Sequence, residues 1–256
     1  MRSIDQYAYA NRLHLVDPAK KAGLALLTLL LCFVLDRPAV GILSTLWMWG
    51  LATYWARLPG GTVARILLAE GTFLALTTVG VAVSIGLAEP ASLLWRWRLG
   101  ALWLASGPAQ LDLAVRLASR ALGCAAALNF LALTTPLVDL VDLLRRLRVP
   151  TLLVDLMTLI YRFIFSLLES LERMRTAQDC RLGYCAFRQG VRSAGLLGGR
   201  LFIDAYQRSR RLETALQGRG YSGELRVLPL VYRQDRRVYV LSAGIAASLL
   251  LARVLL

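Results

Sequence analysis

Of the 256 residues, 57% are apolar and 18% charged, and the mean hydropathy of +0.56 exceeds what a soluble domain's mix of core and surface produces. The chain therefore reads as a membrane protein, and its 30 Lys+Arg against 16 Asp+Glu suit anionic lipid or an acidic protein surface rather than nucleic acid. A single histidine, His14, and four cysteines with no CxxC pair (Cys32, Cys124, Cys180, Cys185) leave a zinc, haem or iron–sulfur centre almost without ligands and imply no disulfide scaffold.

A polar stretch, Ile4 to Lys21, precedes the first apolar run, Ala22 to Leu35. The length of that stretch and the lack of a small-residue cleavage site argue against a signal peptide. Asp5 and Asp17 read as N-caps of helical regions. Asp36-Arg37-Pro38 suits a tight turn into a second run, Ala39 to Ala56, so the two runs form a helical hairpin whose arms approach the ~20 residues that cross a bilayer. Ile66 to Leu87 is a third span, with Glu70 near its start and the small or hydroxylated residues Thr72, Thr77, Thr78, Gly80 and Ser84. Leu113 to Thr135 is a fourth, with Arg116 and Arg120 at its start and a small face, Gly123 to Ala127, for a neighbouring helix. Between them, Glu89 to Asp112 holds Trp95, Trp97 and Trp103, which suits a segment at the membrane surface. Val238 to Leu255 is the last span.

Pro136 and Pro150 bracket a short charged amphipathic helix, Leu137 to Val149. The next stretch, Thr151 to Leu171, is apolar enough to be mistaken for a crossing. Asp155, Thr158, Arg162, Ser166, Glu169 and Arg173 recur at steps of three and four, drawing a polar stripe down one face of an amphipathic helix. A charge at mid-bilayer costs at least ~2.5 kcal/mol, which this stripe would incur repeatedly in a crossing. A third helical stretch, from about Val191 to Gln217, has Arg200, Asp204, Gln207, Arg208 and Arg211 on one side and Leu197, Leu201, Ala205, Leu212 and Leu216 on the other. Leu171 to Arg237 carries fourteen basic residues against six acidic, and Arg2, Arg12, Lys20 and Lys21 mark the N-terminus as cytoplasmic too. The expected fold is all-α and polytopic, with five transmembrane helices, or six if the Trp-rich stretch crosses, and cytoplasmic amphipathic helices. Its regions are 1–135 (four spans), 136–237 (cytoplasmic) and 238–256 (the final span).

The two long amphipathic stretches end alike. One reads Ala177-Gln178-Asp179-Cys180-Arg181-Leu182-Gly183-Tyr184, the other Ala215-Leu216-Gln217-Gly218-Arg219-Gly220-Tyr221. In each, Ala and Arg at i and i+4 share a helix face, and Gly183 or Gly220 supplies the left-handed residue that stops the helix. One such ending is simply a helix cap whose Arg complements the macrodipole. Two, about forty residues apart on a basic platform, suggest a paired contact device.

These paired Ala-x-x-x-Arg-(x)-Gly endings behind hydrophobic spans resemble the transmembrane T component of energy-coupling factor (ECF) transporters. The segment Ile4-Asp5-Gln6-Tyr7-Ala8-Tyr9-Ala10-Asn11-Arg12-Leu13, followed by Asp17-Pro18-Ala19-Lys20, resembles more narrowly its CbiQ branch, the T component of cobalt transporters. The resemblance implies a coupling subunit that binds no cofactor itself, with ATP and Mg on two partner ABC ATPase subunits (CbiO-like). It also implies a membrane-embedded substrate-binding component (CbiM-like) and a small accessory membrane protein (CbiN-like) in the lipid bilayer. It assigns Arg181 and Arg219 as the ATPase contacts, with Ala177, Gly183, Ala215 and Gly220 shaping the helix ends. One departure is visible: Leu182 intervenes between Arg181 and Gly183.

Competing readings find less support. Gly195, Gly198 and Gly199 lie close together, but no Gly-Lys-Ser/Thr follows to make a phosphate-binding loop. An enzyme would want clustered carboxylates or a His/Asp pair, and His14 sits in a polar stretch where it reads as solvated. An ion-conducting path would want an acidic lining, whereas Glu70, Arg116, Arg120 and Asp155 read as satisfied interhelical or interfacial pairs. Cys180 and Cys185 read as free thiols. The alternative kept is a membrane-surface-anchored enzyme or lipid-binding protein without an ATPase partner.

Overall fold

The computed structural model of the chain describes residues 2–82, 84–86, 95–99, 102–221, 232 and 236–255. The chain forms two compact units, residues 1–136 with 231–256, and residues 137–230.

In the first unit α1 spans Arg2–Ala10 and α2 Pro18–Val34. Asp17 caps α2: its Oδ1 accepts from the Ala19 N–H at 3.1 Å, and Pro18 fills the first helical position, where a missing donor costs nothing. Asp5 lies inside α1, so it is not the cap expected from the sequence. After the Asp36-Arg37 bend, α3 runs Pro38–Gly50 and continues as a π-helical turn, Leu51–Trp55. Then follow α4 (Gly60–Ala82), α5 (Pro108–Thr134) and, at the far end of the chain, α9 (Arg237–Leu255).

The Trp-rich stretch is not helical where it is described before Pro108, from which point it belongs to α5. It forms a small antiparallel sheet, β1 (Ser84–Gly86), β2 (Trp95–Leu99) and β3 (Leu102–Ser106), in the order β1-β3-β2, with Trp97 opposite Leu104 and Ile85 opposite Leu104 on the other edge. Strands of three and five residues fall short of the ~9–11 needed to cross a bilayer, so none of the described strands is itself a crossing. The alternation Trp95-Arg96-Trp97-Arg98-Leu99 has the period of a strand and carried that information. Glu89 and its neighbours 87–94 lie outside the described residues.

The expected spans are helical, except that the third, Ile66 to Leu87, is helix only to Ala82 and has Ser84–Gly86 in β1; length and apolarity also rank them differently. Among the described residues, four helices are long and apolar enough to cross a membrane: Gly60–Val81, Pro108–Thr134, Thr151–Asp179 and Arg237–Val254. The hairpin arms are shorter, α2 at 17 residues and α3 at 13 before its π-helical turn. The protein is an all-α polytopic membrane protein, with the small sheet its one non-helical ornament among the described residues.

Helix α5 is the axis of this unit, packed against α2, α3 and α4, while α9 packs on α2 and α3. The shared core comprises Leu24, Val40, Met48, Ala127, Phe130, Ile245 and Leu249. The expected small face of α5 makes the closest approach. A Cβ on Gly123 would fall 2.7 Å from the Cys32 Sγ, and one on Gly41 would collide with the Ser119 carbonyl, so α3 and α5 cross almost backbone to backbone. Outward, Leu26, Leu30, Phe33, Leu46, Leu76 and Leu128 are exposed, as a lipid-facing surface requires.

Two of the three charges among these helices, Arg116 and Arg120, are paired as the sequence led us to expect, whereas Glu70 meets only a neutral amide among the described residues. Arg120 Nη2 lies 2.7 Å from Asp36 Oδ1, with its guanidinium over the Phe33 ring, and Arg116 Nη2 lies 2.6 Å from Asp112 Oδ2. Glu70 accepts from the Asn129 amide.

The N-terminal segment does something its composition did not reveal. Helix α5 ends just before Pro136, and its last carbonyls have no intrahelical donor. Buried Asn11 donates its Nδ2 to the Leu133 and Thr134 carbonyls, both at 3.3 Å, while its Oδ1 holds the Leu13 N–H at 2.8 Å. Buried Lys21 donates Nζ to the Leu13 and Thr134 carbonyls, both at 3.0 Å. A cation at a helix C-terminus also matches the dipole. Lys21→Met keeps most of the stem and removes the donor. It is expected to destabilise the detergent-solubilised protein by about 1.5–3 kcal/mol, read as a lowered thermal midpoint; an unchanged midpoint would show that the ammonium bonds contribute nothing.

Candidate functional site

The second unit holds α6 (Leu137–Arg146), α7 (Thr151–Asp179) and α8 (Phe187–Gln217). The polar stripe of α7 is a seam only in part: Asp155 is buried and Thr158 and Ser166 are half-buried, whereas Arg162, Glu169 and Arg173 stay exposed. Its buried Asp155 lies 3.1 Å from Arg145 Nη2 of α6. Farther along, Ser166 and Ser170 both receive Arg208 of α8, Ser170 at 2.8 Å. Arg208 also donates to Asp204, Nε at 3.1 Å, and the ion pair closes at 3.0 Å.

This corrects the expected division of α8. Asp204 and Arg208 are half-buried on the same strip as Leu197, Leu201, Ala205, Leu212 and Leu216, not on the face opposite them. The reason is neutralisation: Arg208 spends its donors on a carboxylate and two hydroxyls, so the pair tolerates the helix contact. Apolar side chains are left outside instead. Phe202, Ile203 and Tyr206 on α8, and Leu152, Leu156 and Ile160 on α7, are exposed, which marks this unit's surface for lipid or protein contact.

Beyond α7 and α8 the two endings have one geometry. After α7, the Leu182 N–H bonds the Asp179 carbonyl at 3.0 Å and the Gly183 N–H bonds Gln178 at 2.9 Å. After α8, the Gly220 N–H bonds Gln217 and the Tyr221 N–H bonds Leu216, both at 3.0 Å. Both patterns are Schellman motifs. The left-handed residues are Leu182 (φ 56°) and Gly220 (φ 72°). Arg181 and Arg219 therefore occupy equivalent positions, each directly before the left-handed residue and four after Ala177 or Ala215.

The two glycines are not equivalent, which corrects the expectation that both are left-handed. Gly220 carries the positive φ, and a Cβ there would meet open space. Gly183 stands one place later, where Tyr221 stands in the other ending, and it is buried. A Cβ on Gly183 would fall 2.9 Å from the Gln178 carbonyl and 3.0 Å from the Ser193 Oγ. The inserted Leu182 thus takes the left-handed conformation, and Gly183 is needed for close approach. Around it, Ser193 Oγ donates to the Gly183 carbonyl at 2.8 Å, Gln178 Nε2 to the Ser193 carbonyl at 3.1 Å, and the Tyr184 hydroxyl lies 2.7 Å from Gln178 Oε1. These bonds fasten the first ending to α8.

Arg181 and Ala177 line a cleft of about 460 Å³ between α7 and α8, with Met174, Leu197, Ile203 and Arg200 among its walls. Sequence reading had grouped Arg200 with a polar face but gave it no role; only the antiparallel return of α8 brings it to the same cleft as Arg181. Arg181, Arg200 and Arg219 are exposed, and none has a hydrogen-bond or ion-pair partner among the described residues. A guanidinium is permanently charged and presents a planar fork of donors that suits a carboxylate, and Arg162, Arg188, Arg192 and Arg211 of this unit are likewise exposed without a partner among the described residues.

The fold and these endings define an all-α polytopic membrane protein with a basic, arginine-presenting helical unit. Residues 10–229 match the profile of the CbiQ family, described as cobalt transport protein, and the chain belongs to that family. The cobalt transport protein CbiQ of Salmonella typhimurium is 31% identical over 224 residues, 88% of this chain and 99% of the relative. That of Rhodobacter capsulatus is 41% identical over 150 residues, 59% of this chain and 60% of the relative. An uncharacterized protein of Methanocaldococcus jannaschii is 39% identical over 121 residues, and the chain spans 45% of its length. A putative fused cobalt transport protein CbiMQ of Methanocorpusculum labreanum is 32% identical over 127 residues, half of this chain and 21% of the fusion. The family is one of transport proteins rather than enzymes.

Two outcomes check this geometry. Leu182→Gly removes a side chain that is 70% exposed and relieves the left-handed strain, so it is expected to stabilise by about 0.5–1 kcal/mol, whereas Gly183→Ala is expected to destabilise. The reverse order in thermal denaturation would refute the assignment. The second concerns acid. The Arg208 hydrogen bond holds the Asp204 carboxyl below its ordinary value, against an upward push from desolvation. A carboxyl depressed by folding stabilises above its unfolded pKa near 3.9 and loses that contribution as pH falls through the lower folded value. Between about pH 5 and pH 3, hydrogen exchange at the α7–α8 seam is expected to quicken beyond the intrinsic pH trend, and Arg208→Ala to abolish that excess.

Proposed function

We propose that this protein is the transmembrane coupling (T) subunit of an ECF-type ABC importer that takes up cobalt ion. It links ATP hydrolysis on two CbiO-like ATPase subunits, which carry the ATP and Mg, to a CbiM-like substrate-binding component with a CbiN-like accessory protein. The observation that carries the reading is the pair of geometrically equivalent Schellman endings, each placing an unpaired arginine before the left-handed residue, at Arg181 and Arg219. Family membership and the names of the relatives support cobalt as the cargo, and the fused CbiMQ relative supports the CbiM-like partner. The cobalt is substrate, held by the partner component.

In this mechanism each arginine locks onto a carboxylate of one ATPase. Closure of the ATPase pair around ATP moves those carboxylates as rigid bodies, and the two endings follow because their turns are held by backbone bonds rather than by side chains alone. Ala177 and Ala215 keep the helix face beside each arginine low enough for the ATPase to approach. The basic second unit lies on the cytoplasmic side of the inner membrane, with the N-terminus.

Breaking a buried charge pair at an interface costs about 2–5 kcal/mol, so each arginine alone should matter. In a co-expressed complex, Arg181→Ala and Arg219→Ala are each expected to weaken recovery of the ATPases or to uncouple ATP hydrolysis from uptake, and the double variant to abolish coupling. Indifference of both binding and coupling to the double variant would reduce the arginines to helix caps.

A further inference from the structure

Glu70 lies near the middle of Gly60–Val81, the part of α4 long and apolar enough to cross a membrane. Both its carboxylate oxygens accept from the Asn129 Nδ2 of α5, each at 2.8 Å. Asn129 is neutral, and among the described residues no cation pairs with Glu70, so its charge is uncompensated at mid-span. Intramembrane carboxylates of this kind face a bundle interior or a partner.

Beside the pair, a groove of about 490 Å³ opens between α4 and α5, lined by Ala69, Phe73, Leu74, Ala121 and Ala125 together with Glu70. A second apolar hollow of about 310 Å³ shares Leu74 and Ala121 with it and extends past Thr78 to Cys124. Phe73 in the groove and Leu68, Leu76 and Val79 elsewhere on α4 are exposed. Lipid tails would satisfy the leucines but offer a carboxylate neither charge nor hydrogen bond.

We propose that the α4–α5 groove seats one transmembrane helix of the membrane-embedded substrate-binding component, with a cationic side chain of that helix on Glu70. This rests on the coupling-subunit reading, which supplies such a partner; the charge of Glu70 and the shape of the groove select the chemistry of the helix. Asn129 is then the positioning residue that holds the carboxylate toward the groove.

The test uses the complex co-expressed with its ATPases and substrate-binding component and purified in detergent. Replacing exposed Phe73 with p-benzoylphenylalanine should give a photo-adduct with the substrate-binding component. Glu70→Gln keeps the volume and an acceptor for Asn129 but removes the charge; it should lower recovery of that component by about tenfold while ATPase recovery stays unchanged. An adduct with a second copy of this chain, an adduct with lipid alone, or no adduct overturns the proposal, as does full recovery of the component with Glu70→Gln. If Glu70→Gln loses the ATPases as well, the Phe73 adduct, formed in the otherwise native chain, decides. Failure of the native chain to recover any ATPase would instead sink the coupling-subunit reading, and the Phe73 adduct would still report on the groove.

Discussion

A bilayer offers no hydrogen bonds, so each charge or amide set among apolar helices has to be answered from within the protein or by a partner. The first unit is organised around that constraint. Helix α5 is its axis, and the carbonyls at the end of α5 are closed by Asn11 and Lys21 from the N-terminal segment. The same residues hold the Leu13 backbone, so one cluster fixes both the entry of the chain into α2 and the exit of α5 toward Pro136. Arg120 with Asp36 ties the α2–α3 hairpin to α5 in the same way. Glycine does the complementary work at the α3–α5 crossing, where Gly41 and Gly123 let the backbones meet.

The arginines of the second unit divide by what they touch. Arg145 and Arg208 have carboxylate partners in neighbouring turns or helices and hold α6, α7 and α8 together. Arg181, Arg200 and Arg219 have none among the described residues and stand exposed, two of them at helix endings of identical hydrogen-bond pattern. Arginine is costly to leave unpaired where solvent is scarce, but at an exposed helix end it is cheap and ready for a carboxylate. The division separates cations that build the unit from cations that it presents. The two endings differ in stiffness as well, since the first is bonded to α8 through Gln178, Ser193 and Tyr184.

Much of this was legible in the chain because apolar runs, capping residues and 3.6-residue periodicity are local properties. The helices at 18–34, 38–50 and 237–255 follow from hydropathy, Asp17 and Pro38, whereas those at 60–82 and 108–134 begin before the apolar runs expected at Ile66 and Leu113. The Arg endings follow from a four-residue spacing repeated in two places. The alternation of Trp95-Arg96-Trp97-Arg98 was equally local, but its indoles suggested a membrane surface without revealing a strand.

Other features depend on which segments meet, and composition cannot say that. Lys21 reads as a flanking cation until α5 is seen to end beside it. Asp204 and Arg208 read as a solvated face until Ser166 and Ser170 are found opposite, where shared hydrogen bonds cancel the cost of burial. Arg200 gains a place only when α8 folds back along α7 to form the cleft with Arg181. At the first ending, residue identity itself misled: glycine suggested the left-handed position, but the backbone bonds put Leu182 there and reserved Gly183 for a site with no room for a Cβ. Helix formation and membrane character are set by neighbours within a few residues and were decided in the sequence. The partners of buried charges and the conformation of each turn are set by contacts far along the chain, so the tertiary structure alone decided them.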